Sequence, residues 1–212
     1  MKDSFFSKKN RRLITDPFDS QNPITIQVLG ICSALAITVQ LQQALVMAIA
    51  VVAVMISANM IISVLRNVIP SRIRIIVQLV VVSALVVSVD LLLQAFLPDV
   101  SEKLSVFVGL IVTNCIIMGR LEAFALGNKL WPSFLDGFGN AIGYGWILLA
   151  VAFFRELFGS GNIFGYQIIP ESWFDAGYLN NNLMILPPMA LIVVGLIIWI
   201  QRSRNKDLIE EN

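Results

Sequence analysis

Two apolar stretches of this 212-residue chain are too short to cross a bilayer upright, and they constrain the fold more than any other feature. Ser105 to Arg120, SVFVGLIVTNCIIMGR, carries Cys115, one of only two cysteines. Pro23 to Thr38, PITIQVLGICSALAIT, carries the other, Cys32. Each apolar piece runs about 15–16 residues, where a perpendicular helix needs about 20. Unusually short hydrophobic segments at matching places in two halves of a chain point to a site near the middle of a membrane.

The rest of the chain fits a membrane frame. Residues are 57% hydrophobic and 14% charged, with a mean hydropathy of +0.80; a soluble domain carries roughly 25% charged residues. There is no histidine. This excludes imidazole-held haem, a Ser-His-Asp triad and a His-based zinc site from this chain alone. A net charge of +1 gives no footprint for nucleic acid. The first twenty residues, MKDSFFSKKNRRLITDPFDS, lack the apolar core of a cleavable signal peptide. Two cysteines are too few for a disulfide framework.

In chain order, residues 1–22 read as a polar tail of cytoplasmic type. Asn22-Pro23 suits a helix start, since Asn caps and Pro fits the first helical position. Segment 1 is expected over about 23–39, segment 2 over 44–65 with Asn59 as its most polar member, and segment 3 over 75–97 with Asp90 inside VVSVDLLLQAF. Segment 4 covers about 104–119, and a polar connection fills 120–132. Segment 5 covers about 134–158, a loop 159–182, segment 6 about 183–201, and a mixed-charge tail 202–212. With the amino terminus inside, the cytoplasmic parts hold 13 of the 15 Lys and Arg residues; Lys103 and Arg155 are the exceptions. The positive-inside rule then places both termini in the cytoplasm.

Three segments per half is an odd number, so halves that repeat must be inverted in the membrane. Leu29-x-x-Cys32-x-x-Leu35-Ala36 lines up with Val112-x-x-Cys115-x-x-Met118-Gly119. Counted along continuous helices at about 1.5 Å per residue, Cys32 lies roughly 13–14 Å from the entry at Pro23, and Cys115 roughly 18 Å from the opposite entry at Lys103. These depths add up to about the ~30 Å hydrocarbon thickness, which sets the two sulfurs at one level.

Each candidate residue has a plain reading beside the functional one. A free membrane cysteine is often inert filler. Two matched cysteines can instead form a disulfide or supply half of a soft-metal site, since tetrahedral zinc and iron–sulfur centres take four ligands. The other two would come from a second copy or a related partner. Asp90 is deep enough to be functional by default, or it reaches outer water from a helix end. Asp136, in PSFLDGFGN, reads as a first-turn carboxylate offsetting the helix dipole, or as a cation-linked group. Gly139 and Gly143 fit a small-xxx-small packing face. Thr113-Asn114 can satisfy backbone groups where the helix is interrupted. Arg155-Glu156 is expected to be an interfacial ion pair. Trp131, Trp146, Trp173 and Trp199 read as interface anchors or packing.

Several stretches together resemble one family. NPITIQVLGICSALAIT (22–38), RNVIPSRIRIIVQ (66–78), SVFVGLIVTNCIIMGRLEAFA (105–125), PSFLDGFGNAIGYG (132–145) and FFRELFGSGNIFG (153–165) are similar to the D subunits of sodium-translocating NADH:quinone oxidoreductases. Those subunits share their fold with the E subunit of the ferredoxin:NAD-oxidising Rnf complex. The resemblance spans the membrane part and implies an all-α integral membrane protein. Its membrane domain, 23–201, would hold six transmembrane helices as two inverted three-helix repeats, about 23–97 and 104–201, with half-helices at positions 1 and 4. It implies a bacterial inner-membrane translocase that oxidises NADH, reduces ubiquinone and exports Na+, with partners A, B, C, E and F. Cys32 and Cys115 would give two ligands to a [2Fe-2S] cluster shared with the E subunit, with Gly30, Thr113 and Asn114 around it. The cluster would take electrons from the F subunit and pass them to FMN on the C subunit. NADH, FAD, FMN, riboflavin and quinone would be bound by other subunits, and no complete catalytic site would lie in this chain. Asp90 and Asp136 are the candidates for coupling to the cation.

Within the family the alternative is the E subunit of an Rnf-type ferredoxin:NAD oxidoreductase, and two other classes remain open at this point. A redox-free small-solute transporter also fits interrupted helices, and it predicts a colourless, iron-free preparation with normal transport. A membrane scaffold predicts that Cys32→Ala and Cys115→Ala leave turnover intact.

Overall fold

A bilayer offers helices no hydrophobic drive to associate, because lipid tails are as apolar as leucine; close approach of backbones and buried polar contacts must do it instead. The chain is built on that rule. The computed structural model describes residues 8–18, 21–70, 72–96, 109–164, 166–167 and 182–204. Its helices are α1 (Lys8–Thr15), α2 (Ile31–Ile37), α3 (Leu41–Leu65), α4 (Arg74–Phe96), α5 (Cys115–Arg120), α6 (Leu130–Ser160) and α7 (Pro187–Arg204). A two-residue antiparallel ladder pairs Asn162–Ile163 with Tyr166–Gln167 just after α6. By length and composition α3, α4 and α6 can each cross a membrane.

The frame is the antiparallel pair α3 and α6. Its contacts run in opposite order along the two helices. Glu156 meets the Leu41 amide, a Cβ on Gly145 would lie 3.3 Å from the Ala48 methyl, and Gly137 faces Asn59. Further along, Asn59 Nδ2 donates to Ser133 O at 3.2 Å, and Ser63 Oγ donates to Asn128 O at 2.8 Å. The buried positions of α3, including Leu41, Ala44, Ala48, Val51, Met55, Ala58 and Ile62, recur every three or four residues and form one face. Helix α4 buries a narrower stripe, Gln78, Val82 and Val86, while Ile75, Ile76, Val80, Val87, Leu91 and Leu92 stay exposed.

Helices α2 and α5 are only seven and six residues long. Each follows a break in the chain. Pro23 does not open a helix as expected. Asn22 Oδ1 accepts from the Ile24 and Thr25 amides, but only turns follow. Val28 (φ 57°) and Gly30 (φ 81°) then turn the backbone out of helical geometry before Ile31. The second break falls at Thr113-Asn114, between the helical turn 109–112 and α5. The expected polar connection 120–132 is largely helical. Leu121–Ala125 forms a π turn, and α6 starts at Leu130. Asp136 is therefore in the second turn of α6, not the first.

The stretch expected as a tail carries structure from Lys8 onward. Helix α1 and the 3₁₀ turn Asp16–Phe18 lie against α6. Gly139 and Gly143 form the packing face expected of them, and their partner is this N-terminal segment. A Cβ on Gly139 would meet Leu13 O and come within 3.0 Å of Ile14 Cα; one on Gly143 would lie 2.5 Å from Pro17 O. Asn22 Nδ2 fixes the end of the segment on Gly143 O at 3.1 Å. Gly139→Leu is expected to lift residues 8–18 off α6 at a cost of about 1–3 kcal/mol. Hydrogen exchange should then rise across that segment while α3 and the far half of α6 keep their protection.

Candidate functional site

Helices α2 and α5 start at the same place and leave it in opposite directions. The common point is Tyr144, midway along α6 and fully buried. The C-terminal end of α2 reaches the Ser160 end of α6, where Arg155 Nη1 donates to Leu35 O at 3.3 Å and to Thr38 Oγ1 at 2.5 Å. The C-terminal end of α5 reaches the Leu130 end, where Arg120 pairs with Asp136. The depth count along continuous helices does not survive, because residues 21–30 are turns. The residues next to the two cysteines, Ser33 and Asn114, are nevertheless in contact.

Those neighbours form a buried polar knot. Ser33 Oγ donates to Gly30 O at 2.8 Å and lies 2.6 Å from the Tyr144 hydroxyl. Asn114 Nδ2 donates to Ser33 Oγ at 3.4 Å, and Asn114 Oδ1 caps α5 by accepting from the Ile116 amide at 3.3 Å. Gly30 sits in the left-handed region against the Tyr144 ring. A Cβ there would lie 2.9 Å from Tyr144 Cε2 and 3.4 Å from Asn114 Oδ1. Thr113 Oγ1 turns back to Gly109 O at 3.4 Å, beside the bond from its own amide to the same oxygen.

Cys32 is the second residue of α2 and Cys115 the first of α5, and both thiols are free and exposed. The disulfide reading is not realised. Among the described residues no three His, Cys, Asp or Glu side chains gather into one metal-binding group. The donor set is thus two exposed thiols, which fits half of a tetrathiolate iron–sulfur centre and not a complete one.

The carboxylates have other settings. Asp136 accepts from Arg120 Nε at 3.0 Å and from Arg120 Nη2, and Asn140 Nδ2 adds a bond to Oδ1 at 3.1 Å. Ser133, Asp136, Asn140 and Tyr144 are all buried and follow one another at helical spacing. They make a polar line along α6 from its Leu130 end to the knot. Asp90, on α4, accepts from Gln94 Nε2 at 3.0 Å one turn on; its Oδ1 is buried without a hydrogen-bond partner among the described residues.

Arg155 and Glu156 are not the expected ion pair. Arg155 is 1% exposed and also donates to Met184 O at 3.1 Å, Ile185 O at 2.6 Å and Leu186 O at 3.3 Å. Glu156 Oε2 takes the Leu41 amide at 2.5 Å, capping α3. One residue gathers loose carbonyls and the next a loose amide. Trp131, Trp146 and Trp199 are exposed, and Trp131 stacks on Phe134 at 5.7 Å; Trp173 lies outside the described residues.

Sequence reasoning finds both cysteines, Gly30, Thr113 and Asn114. It passes over Ser33, Tyr144, Arg120 and Asn140. The signal for Asn140 and Tyr144 is the 3-4-4 spacing of Ser133, Asp136, Asn140 and Tyr144 in an otherwise apolar helix, with Tyr144 between two glycines.

The model of the family described as "Rnf-Nqr subunit, membrane protein" matches residues 11–198. The chain is 50% identical over 204 residues to the D subunit of the Na(+)-translocating NADH-quinone reductase of Shewanella oneidensis, covering 96% of this chain and 97% of that protein. The D subunits of the same name from Psychromonas ingrahamii and Shewanella halifaxensis match with the same identity and coverage.

Removing one member of a buried ion pair strands the other. Asp136→Leu is expected to destabilise the chain by about 3–5 kcal/mol, and adding Arg120→Leu should restore most of that. Thermal unfolding in lipid nanodiscs reads both.

Proposed function

The chain belongs to the Rnf-Nqr family of membrane subunits, and we propose that it is the D-type subunit of a redox-driven sodium pump that oxidises NADH and reduces ubiquinone. The observation that carries this reading is that two free, exposed cysteines lie at the starts of two oppositely directed half-helices whose neighbouring residues, Ser33 and Asn114, are in contact. Two exposed thiols ask for two more from another chain. A homologous E subunit in the opposite orientation supplies them in this reading, so that Cys32 and Cys115 hold half of a [2Fe-2S] cluster. When bound, that cluster supplies one-electron transfer within the membrane.

What the chain's own residues do follows from their places. The breaks at Val28–Gly30 and Thr113-Asn114 present helix starts, with Gly30, Thr113 and Asn114 next to the ligands. Burial of Tyr144, Ser33 and Asn114 behind the thiols keeps water off that side. A short helix followed by two longer ones occurs twice, α2-α3-α4 and α5-α6-α7, which supports two inverted repeats over about 23–97 and 104–201. In this reading both termini face the cytoplasm of a bacterial inner membrane, with the remaining tail at 202–212. FAD, FMN, riboflavin, NADH and quinone are bound by other subunits in this reading.

Asp136 is the favoured candidate for the Na+-linked step, because a buried polar line joins it to the level of the cysteines. Asp90 is the second, with a buried oxygen on α4 that has no hydrogen-bond partner among the described residues.

Iron content and the visible spectrum of the purified complex test the central claim. The wild-type complex should carry a [2Fe-2S] signature attributable to this pair of subunits. Cys32→Ala and Cys115→Ala should each abolish that signature and lower NADH:quinone turnover by orders of magnitude while the subunits stay assembled. An iron-free subunit pair with full turnover would overturn it. Asp136→Asn is expected to raise the Na+ concentration needed for half-maximal turnover, with NADH oxidation by the flavin subunit unchanged; an unaltered Na+ dependence removes Asp136 from the cation route.

A further inference from the structure

We infer that Tyr144 is the positioning residue that holds the two cysteine-bearing helix starts in register. Its hydroxyl works through Ser33. The direction of each hydrogen bond follows from counting. Ser33 has one hydroxyl proton, and it goes to Gly30 O at 2.8 Å. The 2.6 Å contact with Tyr144 therefore has the phenol as donor and Ser33 Oγ as acceptor. The second lone pair of Ser33 Oγ takes Asn114 Nδ2. One oxygen thus joins three elements: α2 through its own backbone, α5 through Asn114, and α6 through Tyr144. Ser33 adjoins Cys32 and Asn114 adjoins Cys115, so any slack in the knot becomes slack between the sulfurs.

The direct link between the half-helices is long, 3.4 Å, and weak alone. The short bond from Tyr144 is the firm one, and its ring also fills the space that a side chain on residue 30 would need. Tyr144, Ser33 and Asn114 are each at most 1% exposed, so no water substitutes for a lost partner at little cost. Removing the phenol oxygen alone leaves the ring packing in place and deletes the fixed point.

This inference rests on the cluster reading only for the second of its two measurements. Cys32 and Cys115 are the only cysteines, so nitroxide labels on the full chain in lipid nanodiscs report their separation directly. Wild type should give one narrow distance distribution. Tyr144→Phe and Ser33→Ala should each at least double its width, with the α-helical circular dichroism signal unchanged. In the assembled complex, Tyr144→Phe should keep its iron but broaden the electron paramagnetic resonance line of the reduced cluster. An unchanged distance width in both variants, or a superimposable line in the iron-loaded complex, overturns the inference. An iron-free wild-type complex counts against the cluster instead, and the distance measurement then decides on Tyr144 alone.

Discussion

A helix that stops inside hydrocarbon leaves amides and carbonyls that water cannot reach, and lipid offers them nothing. The chain contains two helices of only seven and six residues, and much of its polar chemistry sits at helix ends. Asn114 caps the start of α5. Ser33 adds a second bond to Gly30 O, which already accepts from the Ala34 amide. Arg155 gathers carbonyls at the end of α2 and ahead of α7, and Glu156 takes the first amide of α3. At the opposite end Asn59 and Ser63 of α3 reach the backbone at Ser133 and Asn128, where α6 begins. The two long helices α3 and α6 close each other's ends, and Arg155 of α6 adds a partner for the end of α2.

The frame is legible because hydropathy and charge are read residue by residue. The long segments fall within a few residues of expectation, 44–65 against Leu41–Leu65 and 75–97 against Arg74–Phe96. The cysteines and the interruption at Thr113-Asn114 stand out as polar or small groups in apolar runs. The first half-helix is overdrawn from sequence because Asn22-Pro23 has the right chemistry for a helix start. The φ of Val28 then overrides it, and nothing in valine announces a positive φ. Arg155-Glu156 looks like a pair because the two are adjacent in sequence. On a helix neighbours point about 100° apart, so they serve different helix ends.

The depth count does not carry over to the structure. It assumes helix where there are turns, yet the two sulfur-bearing residues do begin their helices around one tyrosine. What aligns them is contact, not rise per residue. Contact is visible in sequence only as a faint line of hydroxyl, carboxyl and amide groups along α6, and its meaning depends on what α2 and α5 place opposite it.

The π turn at Leu121–Ala125, closed by the Leu126 amide on Leu121 O at 3.2 Å, joins the Cys115 half-helix to α6. Such a bulge holds one residue more than an α-turn. It sends Arg120 toward Asp136 while Glu122, two residues on, meets Arg74 at 3.1 Å and Gln78 at 3.0 Å. Chain length here is therefore an angular setting. A single deletion would act as a twist of about 100° on everything upstream, swinging one thiol away from its counterpart with no change in composition. The number of links in this stretch thus sets an orientation that no single side chain can restore.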